Sequence, residues 1–341
     1  MGEGLRWALV FLSLAAPVGS LVIDRILGIP ARRLFGLWGL PSLGAFLIGI
    51  LSAAAVGDPL SELVAWGAIG GLVATAALDV VRLIGVALGA FPMDMPSMFG
   101  LIALGQAPRF QRQMMAQMVA HLAALPPEAQ RAALRARLEA LSRLPEPMRV
   151  AVVGAMQGGL MRLPEPRRQA FLIAQMGVLA ELSPEVRSAV MRAMDRAMTG
   201  VSDSPVYGQP RGLPRIEMAL FRRLAAAAFP ETLKEARLPV WKVRLVGYLW
   251  HFLIGATFGI TYTLLFGHGT WALAFLWGAF VWLAMMVLMP PMMPLIRFPW
   301  WFPIVPFLAH MAMAVPIGFF ASLISASAHL RSLTGWLGWI G

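Results

Sequence analysis

The 341-residue chain has no cysteine, no asparagine and only 13% charged residues. Without a thiol there can be no cysteine nucleophile, iron–sulfur cluster, cysteine zinc site or disulfide framework. The charged fraction is about half that of an ordinary soluble domain, and a 59% hydrophobic content leaves no room for intrinsic disorder. Lysine is also scarce. Of 28 basic residues only Lys234 and Lys242 are lysine, so the arginine excess behind the net charge of +11 reflects coding bias as well as task. Where the arginines fall is therefore more informative than how many there are.

Uncharged apolar runs long enough to cross about 30 Å of hydrocarbon occur at 7–23, 34–57, 245–266, 271–289 and 300–328. A sixth, 63–91, carries Asp79 and Arg82 inside it. Between 245 and 330 the breaks come from Gly267-His268-Gly269 and from Pro290, Pro291, Pro294 and Pro299. Six spans result. With the N-terminus outside, the inner segments hold Arg25, Arg32, Arg33, the basic residues from Arg109 to Arg244, and Arg297, against Arg6 and Arg331 outside. The polar insert between the third and fourth spans is then cytoplasmic. Residues 1–20 have a competing reading as a secretory signal, with small residues at Ala15, Ala16 and Gly19.

The insert repeats every 19 residues. Leu125-Pro-Pro-Glu, Leu144-Pro-Glu-Pro, Leu163-Pro-Glu-Pro and Leu182-Ser-Pro-Glu open successive units, and Pro108 stands one period before Pro127. Proline suits the first helical turn and glutamate meets the positive end of the helix dipole, so each opening also ends the helix before it. Short helices stacked as hairpins follow. Segments 150–161 and 171–179 are nearly free of charge, which puts both at the centre of the insert or at an interface. From Arg109 to Glu235 there are 18 basic and 11 acidic residues but no run of aromatic residues, which suits a face near anionic lipid and not nucleic acid. Residues 201–212 read as a linker, and 216–229 and 231–246 as basic amphipathic helices, the second running along the interface into the fourth span.

The segments Gly70-Gly-Leu-Val-Ala-Thr-Ala-Ala-Leu-Asp79, Gly89-Ala-Phe-Pro-Met-Asp-Met-Pro96, His251-Phe-Leu-Ile-Gly-Ala-Thr-Phe-Gly-Ile-Thr-Tyr262, Trp277-Gly-Ala-Phe-Val-Trp282, Met289-Pro-Pro-Met-Met-Pro294 and Ala309-His310 carry a likeness. The chain resembles an uncharacterised bacterial family of four-span integral membrane proteins, a domain of unknown function. The resemblance implies a helical membrane fold and no particular reaction. This chain departs from it by two extra N-terminal spans and the repeat insert.

An ionisable residue inside a span is costly and calls for a partner. Asp79 and Arg82 share a face of the third span, and His251 and His310 fall at matching depth on the fourth and sixth. His251, Gly255, Gly259 and Tyr262 form one stripe, whose small residues admit a close neighbour. An intramembrane polar cluster of Asp79, Arg82, His251, Tyr262 and His310 is expected. It serves helix–helix specificity, proton or solute passage, or ligation of haem b by His251 and His310. Met93, Met95 and Met98, with Met289, Met292 and Met293, could offer soft ligands to copper, or fill gaps in packing. Trp300, Trp301 and Phe302 suit an interfacial anchor. His121, His268 and His329 stand alone.

These readings predict an all-α membrane protein with about six transmembrane helices and a cytoplasmic helical-repeat insert. Residues 1–105 and 241–341 form the membrane domain, 106–200 the insert, and 201–240 a linker with basic helices. The expected function is non-enzymatic: a multi-pass scaffold or accessory subunit of the bacterial inner membrane, without a cofactor, whose partners are the lipid bilayer and other membrane subunits. The alternatives are a small transporter or channel, or a haem- or copper-binding electron-transfer subunit.

Overall fold

In a computed structural model of the protein, residues 1–27, 29, 31–199, 214–293 and 296–336 are described; the linker expected at 201–212 lies outside them. The chain divides into two compact units. One comprises Met1–Gly105, Trp241–Met289 and Trp300–Gly341; the other comprises Gln106–Val240 and Pro290–Pro299.

The first unit opens with α1 (Glu3–Ser13) and α2 (Ala15–Leu27), which together make the first span. They break at Leu14 because Pro17 has no N–H to bond back to the preceding turn. A short α3 (Ala31–Leu34) leads through one π turn (Phe35–Gly39) into α4 (Leu40–Ala55), the widened turn sitting just ahead of Pro41. Next come α5 (Leu60–Ala87), about 42 Å long by its residue count, and α6 (Met95–Ala103).

The second unit holds α7 (Ala107–Ala123), α8 (Pro127–Ser142), α9 (Glu146–Leu160), α10 (Glu165–Glu181), α11 (Pro184–Met198) and α12 (Met218–Ala236). Helix starts recur with the 19-residue period, capped by Pro126, Pro145, Pro164 and Ser183. The same repeat position in three of the four units, but not Arg168, which pairs with Glu165, reaches back to carbonyls at the end of the helix before it. Gln130 donates to the Leu122 carbonyl at 3.1 Å, Arg149 to those of Leu144 and Leu141 at 2.8 and 3.2 Å, and Arg187 to that of Leu182 at 3.1 Å. The helices pack mainly on their next-but-one neighbours, α7 on α9, α9 on α11 and α8 on α10. Gly159 lets α9 close on Ala116 of α7.

The two charge-poor helices therefore part company. Helix α9 is central, with Val152, Val153 and Leu160 buried, whereas α10 buries Phe171, Val178 and Leu179 but leaves Ile173 74% exposed, beside Met176. Residues 216–236 also differ from expectation. Instead of two helices, the second running on into the fourth span, α12 continues through Pro230, packs on α7, and ends at Arg237, whose φ of 52° breaks the helix before Val240. A two-residue parallel pair, β1 (Ile216–Glu217) with β2 (Ile296–Arg297), is an addition to the all-helical expectation.

The first unit resumes with α13 (Val240–Phe266) and α14 (Trp271–Met292), then α15 (Ile304–Ala321), α16 (Ala326–His329) and α17 (Leu333–Trp336). Among the described residues, six helices are long and apolar enough to cross a membrane, and they coincide with the six expected runs. Helix α5 is central. It packs on α15 through Trp66 and Phe320, and against α13 with almost no gap: a Cβ added at Gly71 would fall on the Gly255 carbonyl, and one at Gly259 on that of Gly67. Polar contacts tie one end of the bundle: Arg6 to Asp58 at 2.6 Å, Glu62 to Ser325 at 2.8 Å, Arg331 to Glu3 at 2.6 Å and the His268 amide to the His329 ring at 3.2 Å. His329 is thus engaged, not solitary. The chain start, the 56–59 and 267–270 turns and the segment after α15 share this end, as six alternating spans require.

Candidate functional site

Near the opposite end of α5, Asp79 and Arg82 project from one face three residues apart. Beyond them the chain turns at Leu88-Gly89, where Gly89 takes φ +75°, and folds back so that Phe91 packs edge-on against Phe302. This return delivers Asp94, the N-cap of α6. Its carboxylate accepts from the Ser97 amide at 3.3 Å and the Ser97 hydroxyl at 2.5 Å, with Pro96 in the first turn. Helix α6 then crosses α13 closely, because added Cβ atoms at Gly100 and Gly247 would meet the carbonyls of Val243 and Pro96.

The result is a network centred on Arg82, whose side chain is only 3% exposed. Its Nε donates to Asp79 at 2.6 Å, Nη1 to Asp94 at 2.5 Å and Nη2 to the Tyr248 hydroxyl at 3.1 Å. The guanidinium also lies 5.9 Å from the centre of the Tyr248 ring. Asp79 bonds His251 Nε2 at 3.1 Å through the same oxygen that meets Arg82, and the His251 ring tilts against Phe99. Thus α5 and α13 each supply an i, i+3 pair, and the α6 cap closes the ring. With two carboxylates against one guanidinium, the network has formal charge −1 with a neutral imidazole and zero with an imidazolium.

Of the five residues expected to gather, Asp79, Arg82 and His251 do so. His310 is buried on α15 and its Nδ1 donates to the Pro306 carbonyl of its own helix at 2.7 Å, with no bond to the network among the described residues. Tyr262 does not join. It sits 11 residues, about 16 Å, along α13 from His251, with its hydroxyl on the Thr270 carbonyl at 3.4 Å and its ring against Phe266 and Trp277. The stripe rule places it on the same face but at the other end of the span. Asp94 and Tyr248 were not foreseen, although each left a signal: Asp94-Met-Pro-Ser97 is a helix-capping pattern, and Tyr248 lies one turn before His251.

A haem iron held by both imidazoles would have to use the nitrogens left over, since His251 Nε2 is on Asp79 and His310 Nδ1 on Pro306. Met98, Met289 and Met293 are buried, Met93 and Met95 are half-buried at the start of α6, and the Met292 side chain lies outside the described residues. Among the described residues no group of three His, Asp or Glu side chains has the spacing of a metal site.

Fold and network together define a helical, multi-pass membrane protein with a buried, internally satisfied ion network between its central spans. Compared with known proteins, the chain matches no family model, no curated protein and no solved structure.

Proposed function

We propose that this protein is a non-enzymatic scaffold or accessory subunit of a larger membrane assembly in the bacterial inner membrane. Its spans act as a rigid anchor, and its helical-repeat insert, on the cytoplasmic side, meets the partners. The observation that carries the reading is the engagement of Arg82, with each of its three nitrogens on a residue of the chain itself. Such a network fixes which helices meet and in what register. The exposed apolar face of α10, with Ile173 and Met176 outermost, supports the second half of the reading, because partner surfaces of this kind are rare on solitary domains.

The test is affinity purification from native membranes followed by mass spectrometry. Stoichiometric membrane-protein partners are expected, lost when residues 125–200 are deleted or when Ile173→Asp and Met176→Asp are combined. A lone monodisperse monomer overturns the proposal. A second reading, proton or solute passage, draws on the Asp79–His251 contact inside a span. It requires flux in liposomes that Asp79→Asn with Arg82→Gln abolishes.

A further inference from the structure

The helical-repeat unit encloses a cavity of about 80 Å³ that the scaffold reading does not use. Its apolar floor is Leu138, Leu141, Val153, Phe171 and Val190, drawn from α8 to α11. Two carboxamides also line it. Gln175 is only 6% exposed, yet among the described residues its side chain has no hydrogen-bond partner, and Gln157 at the rim has none for its side chain either. Neither amide is sealed off, since among the described residues the one fully buried side-chain polar atom without a partner is Trp277 Nε1; both carboxamides keep donors and acceptors open to what enters the cavity. The opening lies at Leu172, Met156 and Met194, and thioether side chains adapt readily to what enters.

We infer that this cavity is a binding site for a neutral amphipathic small molecule whose hydroxyl or amide group meets Gln175 and Gln157 and whose short apolar tail fills the floor. Neutrality follows from the lining, which has no charged side chain to compensate a buried ion. Glutamine both donates and accepts, which suits a hydroxyl or an amide equally. Size follows from volume. An apolar cavity of about 150 Å³ takes benzene, so the enclosed part holds about three heavy atoms, and the opening leaves room for a longer ligand to protrude.

The site is tested on the full chain in nanodiscs carrying [¹³C-methyl]methionine, because Met156 and Met194 report from its rim. Titration with 1-butanol is expected to give saturable shifts of these two resonances, while butyrate and butylammonium leave them unchanged. Gln175→Leu, which keeps side-chain volume, should weaken the apparent affinity by about tenfold, the scale of one buried hydrogen bond. Leu172→Trp, which narrows an exposed opening without touching the floor, should abolish the shifts while the other methionine signals stay in place. Linear, non-saturating shifts overturn the inference, as does an affinity unchanged in Gln175→Leu. A response to butyrate equal to that of 1-butanol does the same, and so does a Gln175→Leu protein that is merely more heat-stable with no alcohol site in either form, the behaviour of a cavity that holds water only.

Discussion

Removing the guanidinium of Arg82 should cost far more than removing either of its acidic partners, and the costs should not add. Charge centres about 4 Å apart attract by about 4 kcal/mol at an effective dielectric constant near 20, before desolvation is counted. Arg82→Met forfeits this toward Asp79 and Asp94 and strands Asp79, whose side chain is 9% exposed. The expected loss is about 3–5 kcal/mol, the range for breaking a buried pair. Asp94 is 32% exposed, so its attraction is partly screened by solvent; Asp94→Asn also keeps an N-cap acceptor for Ser97, and about 1–2 kcal/mol is expected. In the double variant Asp79→Asn/Arg82→Met the deeply buried carboxylate is gone and only the partly exposed Asp94 lacks its cation, so the loss should fall below the sum of the single variants by about 1–3 kcal/mol. Reversible unfolding of the full protein in mixed micelles, or steric trapping in bicelles, measures each corner of this cycle. Arg82→Met within about 0.5 kcal/mol of the parent, or a cycle additive within the same margin, would refute the reasoning that a buried ion network holds the central spans together.

Two further outcomes concern the helical-repeat unit. Arg149 bonds the carbonyls of Leu141, Leu144 and Ala189 at 3.2, 2.8 and 3.3 Å, so Arg149→Ala should lower stability by about 1.5–3 kcal/mol, and Arg187→Ala, with one such bond to Leu182, by distinctly less in the same thermal unfolding assay. Glu235 has a pH signature: burial pushes its carboxyl up, but hydrogen bonds from Gln113 and Arg112 and the charges of Arg112 and Arg162 outweigh that and hold it below the usual glutamate range. A carboxylate depressed in the folded state stabilises fully above its unfolded value of about 4.3, and that contribution disappears as pH falls through the lower folded value. Thermal midpoints measured down through this window should therefore drop, and Glu235→Gln should flatten the acid limb; a limb of unchanged slope counts against the linkage.

The spans were legible because crossing a bilayer demands a length of apolar sequence that little else imitates, and the repeat because proline and glutamate mark helix starts at a fixed period. Burial inside the repeat unit was not legible. The segments 150–161 and 171–179 within α9 and α10 are both free of charge, and what separates them is next-but-one packing, which puts α9 between α7 and α11. The ion network was half legible. Asp79, Arg82 and His251 announce themselves by the cost of charge in a span, whereas Asp94 arrives only because the chain reverses at Gly89, a tertiary event that leaves no periodic trace.

The partners of Arg82 and Asp79 on α13 nevertheless follow from the glycines. Backbone contact sets an antiparallel register: a Cβ added at Gly259 would meet both the Gly67 carbonyl and the Gly71 Cα, and one at Gly71 the Gly255 carbonyl and the Ala256 Cα. Extended along the two helices, that register brings Asp79 near His251 and Arg82 near Tyr248, both pairs displaced by less than one turn in the same sense. The displacement has a cause. Side chains on a helix lean toward its N-terminus, so each covers a spot about one or two residues before its own Cα. In an antiparallel pair the two leans add, and groups that meet through side chains stand about two to four residues out of the register set by groups that meet through backbone. Tyr248 and His251 are therefore where the lean puts the partners of Arg82 and Asp79, and the glycine contacts one end of α5 makes with α13 determine which polar groups meet at the other. Closing or opening the glycine contact should consequently disturb the ion network although the two do not touch.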